Sequence, residues 1–104
     1  MFEQFLRSYI EAIFFTNPEL KEGTLSKEAQ QKICADCRNF WGTYHDAIDS
    51  NPQQAGHDFW LTRNRHGAGF WDGDWPVAQG EMLTKASHGF GEVDLYVGDD
   101  GYIY

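Results

Sequence analysis

Within fifteen residues the chain places Asp58, Arg63, Asn64, His66 and Asp72, side chains able to supply acid, base and anion-binding chemistry. Arg63, Arg65 and His66 on one turn could hold a phosphate or a substrate carboxylate. No Ser or Cys nucleophile pattern, phosphate-binding glycine loop or dinucleotide fingerprint accompanies them. An enzymatic or anion-binding site at the Arg63–His66 turn is therefore the alternative reading. His57, Asp58 and His66 have the side chains of metal ligands. A hairpin turning at Asn64–Gly67 would put His57 at its base and His66 at its tip, roughly 20 Å apart at ~3.3 Å per residue. Cys34 and Cys37 have the spacing of half a zinc or redox site. They stand inside a helical pattern without a second Cys pair, so packed free thiols are expected. No metal and no cofactor is expected.

The elements that must position these residues follow from periodicity. Phe2, Phe5, Leu6, Tyr9, Ile10, Ile13 and Phe14 recur at helical spacing and predict an amphipathic helix over 2–15. Pro18 and Gly23 break the period, and Ser26 is the expected N-cap of a second helix running from Lys27 to about Asp49. Ile33, Cys37, Phe40, Trp41, Tyr44 and Ile48 form its stripe, and SNPQQAG ends the helical half. HDFWLT and GFW then read as strands joined by NRHG, and GEVDLYV and YIY as a second pair joined by GDDG. PVAQGEMLTKASHGF between the pairs reads as a helix stopped by Gly89 or Gly91, with Met82, Leu83, Ala86 and Phe90 facing inward. The expected fold is a single α+β domain over 1–104, ordered ααββαββ. Two N-terminal helices (1–50) pack on a four-stranded antiparallel sheet with an inserted helix (57–104).

Alternation along the first strand would send Phe59 and Leu61 into the core and Trp60 to the opposite face with Trp71 or Trp75. An uncovered aromatic face of that kind marks an interface. Asp72, Asp74, Asp94, Tyr96, Asp99 and Asp100 extend it with acid. The formal charge is −8, and after Arg65 the only Lys or Arg is Lys85. Such a surface disfavours direct nucleic-acid binding and suits a basic protein partner, in the extreme by imitating DNA phosphates. The first residues lack the pattern of a signal peptide, and no apolar run approaches a membrane span, so no membrane association is expected.

The strings AGHDFWLTRNRHGAGFWDGDW and FGEVDLYVGDDGYIY, with the earlier YIEA, resemble a small protein family of bacteriophage and prophage genomes. The likeness covers nearly the whole chain. It implies a viral or mobile-element setting and the cytoplasm of a bacterial host. It also implies an accessory role of the kind that blocks host defence, restriction or CRISPR, by binding a host protein or complex. It assigns no catalytic residue.

Overall fold

The computed structural model describes residues 1–104. Its first helix, α1 (Phe2–Thr16), forms on the expected stripe, with Phe5, Tyr9, Ala12 and Ile13 buried and Glu3, Arg7 and Glu11 in water. A 3₁₀ turn at Pro18–Leu20 and a two-residue strand, β1 (Thr24–Leu25), lead to Ser26. The Ser26 hydroxyl caps α2 (Lys27–Ile48), accepting from the Ala29 N–H at 3.0 Å. Cys37 lies in the core, Cys34 at its margin, and both are free thiols.

The second half corrects the expected ααββαββ order. In place of the first hairpin the chain forms a third helix, α3 (Pro52–Arg63), then an irregular loop over 64–76, then α4 (Val77–Phe90). No four-stranded antiparallel sheet exists. The only sheet is parallel and two-stranded, pairing Thr24 with Tyr102 and Leu25 with Ile103 of β2 (Tyr102–Ile103). Of the second hairpin, an antiparallel bridge between Val97 and Ile103 remains, with Tyr96 and Tyr104 exchanging both backbone hydrogen bonds. Its GDDG turn closes by the Gly101 N–H donating to the Gly98 carbonyl. The region 57–104 is thus mostly helix and irregular chain.

The reason lies in which residues α3 buries. Ala55, Gly56, Asp58, Phe59, Trp60, Thr62 and Arg63 are all buried. The buried face of α3 itself carries Asp58, Thr62 and Arg63 while Leu61 lies on the wetter side with Gln53, Gln54 and His57, so hydropathy shows no 3.6-residue period, and the adjacent aromatics Phe59 and Trp60 beside Thr62 imitate a strand. Its start is written in the supposed breaker. Asn51 Oδ1 accepts from the Gln54 N–H at 3.2 Å, and Pro52 opens the helix, where its missing N–H costs nothing. Its end is a Schellman closure, the Arg65 N–H on the Thr62 carbonyl and the His66 N–H on the Leu61 carbonyl. Arg65, rather than a glycine, takes the left-handed conformation at φ 57°.

α3 crosses α1 at close range. Gly56 meets the backbone of Phe5 and Tyr9, and the Ser8 hydroxyl donates to the Gln53 carbonyl. Phe5, Tyr9, Phe40, Phe59 and Phe70 stack through the centre, the Phe40 and Phe59 rings only 4.1 Å apart. α3 is therefore the post around which the other helices and the 64–76 loop are arranged.

Candidate binding site

Of the residues that suggested catalysis, Asp58, Arg63, Asn64 and Asp72 are engaged in holding the fold, and His66 is not. Arg63 is 3% exposed. Its Nε donates to the Gly91 carbonyl at 2.8 Å and its Nη2 to the Phe90 carbonyl at 3.1 Å, closing the C-terminal end of α4. Its Nη1 donates to Asp36 Oδ2 at 2.8 Å and to the Tyr9 hydroxyl at 3.1 Å. Burial pushes the Tyr9 phenol well above its ordinary range, so it stays neutral and can accept that bond. Asn64 donates to the Trp60 carbonyl and accepts from the Val93 N–H, clipping the C-terminal segment to the end of α3. His66 stands exposed outside this network. The Arg63–His66 turn is a helix terminus, and its guanidinium points inward.

Asp58 is 1% exposed, its two oxygens accepting from Trp75 Nε1 at 2.7 Å and Gln54 Nε2 at 3.1 Å. Burial raises its carboxyl from 3.8 to about 6 against the pull of those two donors. Between these values the folded chain holds a proton that the unfolded chain has released. Asp58 therefore contributes most below pH 4, and its contribution falls as pH rises through 6. Asp58→Asn keeps an acceptor for Trp75 and removes the charge. Relative to wild type, the variant is expected to gain about 3 kcal/mol at pH 7 and little near pH 4. Paired thermal melts at pH 4, 5, 6 and 7 check this. A gap that does not change with pH would mean that Asp58 does not titrate in that window.

The tryptophans separate. Trp60, expected on an outward face, is 2% exposed, with its indole N–H on Thr16 Oγ1 at 2.8 Å. Helical geometry turns Phe59 and Trp60 into the same core where a strand would have split them. Trp75 is buried against Asp58 and Phe70. Neither ring is presented to solvent as an aromatic face, and Trp75 reaches the surface only in the wall of a hollow beside Trp71. Trp71 alone is 54% exposed.

The loop carrying Trp71 is anchored on both sides of it. The Phe70 N–H donates to Thr62 Oγ1, the Gly69 N–H to Asp72 Oδ2, and Trp75 is tied to Asp58. A shallow hollow of about 200 Å³ lies here, lined by Trp71, Val77 and Glu81 among others. Asp72 and Asp74 are exposed on the same loop, and Val77 and Glu81 on the first turns of α4. Val77 and Glu81 were missed in the sequence, where the inward stripe of α4 drew attention away from its outer face. Met82, expected to face inward, is also exposed.

The remaining acids lie on the C-terminal segment. Asp94, Tyr96 and Asp99 are exposed there. Asp100 shapes its own turn, accepting from the Tyr102 N–H at 3.0 Å and the Tyr104 hydroxyl at 2.5 Å. The Tyr104 bond holds the Asp100 carboxyl below its ordinary range, while the Tyr104 phenol is pushed up to about 12. A second cleft, of about 310 Å³, separates this segment from α2, and Tyr9, Asp36 and Asp94 line it.

No three of His, Cys, Asp and Glu converge in a metal-binding arrangement, and no helix is long and apolar enough to cross a membrane. No family model, curated protein or solved structure matches the chain.

Proposed function

We propose that the chain is a non-catalytic protein-binding module that seats Trp71, within an acidic rim, on a basic surface of a partner protein. One observation carries this reading. The loop is tied inward at Phe70 and Trp75, braced across its own turn by Asp72, and still holds the Trp71 indole in solvent. An anchored loop loses little freedom on docking, and a desolvated tryptophan is the kind of side chain that dominates binding energy. Fourteen of the sixteen acids are exposed, against seven of the eight Lys and Arg, so the surface as a whole favours a basic partner. The enzymatic alternative loses its support because Asp58, Arg63 and Asn64 are already bonded within the fold.

The setting belongs to the same proposal and rests on the family resemblance. The chain is phage- or mobile-element-encoded and works in the bacterial host cytoplasm. It inhibits a defence component, of the CRISPR or restriction type, by covering that component's nucleic-acid-binding surface. The test is plating efficiency. A host with an active defence system is challenged by a phage that system targets, with the chain expressed or absent. Expression is expected to restore plaques by orders of magnitude. Trp71→Ala, or Asp74→Lys with Glu81→Lys, is expected to abolish the effect with little change in melting temperature. Protection that survives both variants would move the interface elsewhere. Failure to protect across restriction and CRISPR hosts would end the inhibitor reading.

A further inference from the structure

α1 is apolar on two sides, and the second is only partly covered by the fold. Opposite the face packed on α3 lies a second row, Leu6, Ile10 and Phe14, half-buried and spaced one turn apart, with Phe15 beside it 81% exposed. Glu3, Arg7 and Glu11 flank the row, and together these residues line a shallow groove along the helix.

None of the three flanking charges is paired within the chain, whose ion pairs are Asp36–Arg63 and His45–Asp46. Glu3 and Glu11 each stand four residues from Arg7, and neither is bonded to it. The row reads acid, base, acid. A uniformly basic partner surface would meet Arg7 with a like charge, and an acidic one would meet Glu3 and Glu11. A second α1 laid antiparallel matches it. With a twofold axis close to Ile10, Arg7 of each copy faces Glu11 of the other, while Leu6, Ile10 and Phe14 close over one another. A twofold interface requires this kind of self-complementarity.

We propose that this face is an interface between two copies of the chain, α1 against α1 antiparallel. One helix face buries less than the area of a standard stable interface, so the dimer is a weak one, dissociating at about 100 μM.

The experiment is sedimentation equilibrium on the full chain over a concentration series reaching about tenfold above that value. Wild type is expected to show reversible monomer–dimer exchange, weakened by salt. Arg7→Glu and Glu11→Arg, each placing like charges across the axis, are expected to weaken association about tenfold or more. Both positions are exposed, so circular dichroism should show each variant folded. The double variant Arg7→Glu/Glu11→Arg restores opposite charges and is expected to recover most of the association. A wild type that stays monomeric throughout overturns the proposal. So do single variants that associate as well as wild type, and so does a folded double variant that fails to recover. Plaque protection lost through Trp71→Ala is read independently, because Trp71 lies on a different loop.

Discussion

A Gly56→Ala chain is expected to melt about 10 °C or more below wild type, a loss of roughly 2–4 kcal/mol for one added methyl group. In an open helical position the same change is favourable, because glycine costs about 1 kcal/mol against alanine. At Gly56 the new Cβ would lie 2.8 Å from Ser8 Cβ and 2.9 Å from the Tyr9 nitrogen, and closer still to the Phe5 carbonyl oxygen. Two of these are backbone atoms of α1, which cannot rotate aside. α1 and α3 would have to separate, loosening Phe5 and Tyr9 from Phe59 and Trp60. Gly42 supplies the control, being exposed on α2 with nothing near the corresponding Cβ. Gly42→Ala is expected to raise stability by about 0.5–1 kcal/mol. Denaturant titrations of both variants give the comparison. Equal stability for the two would show that α1 and α3 do not meet at Gly56.

Where a helix had one wet side, the sequence disclosed it. α1 and α2 alternate core and solvent residues at 3.6 spacing, and Ser26 marks a boundary by its own chemistry, so these elements lie within a residue or two of their expected bounds. α3 fails that test for a physical reason, since its buried face holds Asp58, Thr62 and Arg63 and its wetter face holds Leu61, so hydropathy does not separate the two. The local marks are still present in Asn51 and Pro52, an N-cap followed by a first-turn proline, although the same pair also serves to break a helix. The C-terminal segment shows the opposite error. Val93, Leu95 and Val97 alternate with Glu92, Asp94 and Tyr96 as a strand should, yet only Tyr102–Ile103 finds a ladder, and its partner is β1 near the start of the chain. Pairing across 78 residues leaves no local signature.

The candidate site was legible in composition and not in orientation. That the 69–75 stretch mixes exposed acid with aromatic surface could be read from Trp71, Asp72 and Asp74. Which tryptophan faced out could not, because facing followed from a strand assignment that the helix reverses. The polar residues of α3 misled for a related reason. Asp58 and Arg63 have catalytic side chains, but on a buried helix such groups are retained only when bonded, and their partners Trp75, Asp36 and Tyr9 lie far away in sequence.

Arg63→Ala tests that distinction, and about 3–5 kcal/mol of stability is expected to go with the side chain. The loss has three sources. The Phe90 and Gly91 carbonyls at the end of α4 are left without donors, the Asp36 carboxylate loses its cation, and a guanidinium packed over the Phe59 and Phe90 rings is replaced by a void. Asp36→Asn separates them. The Asp36 side chain is 35% exposed and partly solvated, and Arg63 would keep two carbonyls and a phenol as acceptors, so its cost is expected to be about 1–2 kcal/mol. Arg63→Lys is expected to fall between, near 2 kcal/mol. One ammonium cannot span carbonyls on one side and a carboxylate on the other as a planar fork does. Because Arg63 is buried, the Arg63→Ala loss should persist in about 0.5 M salt. If Asp36→Asn costs as much as Arg63→Ala, the ion pair outweighs the closure of α4. If Arg63→Ala leaves the melt unchanged, the side chain is free after all, and the anion-binding reading of the α3 terminus returns.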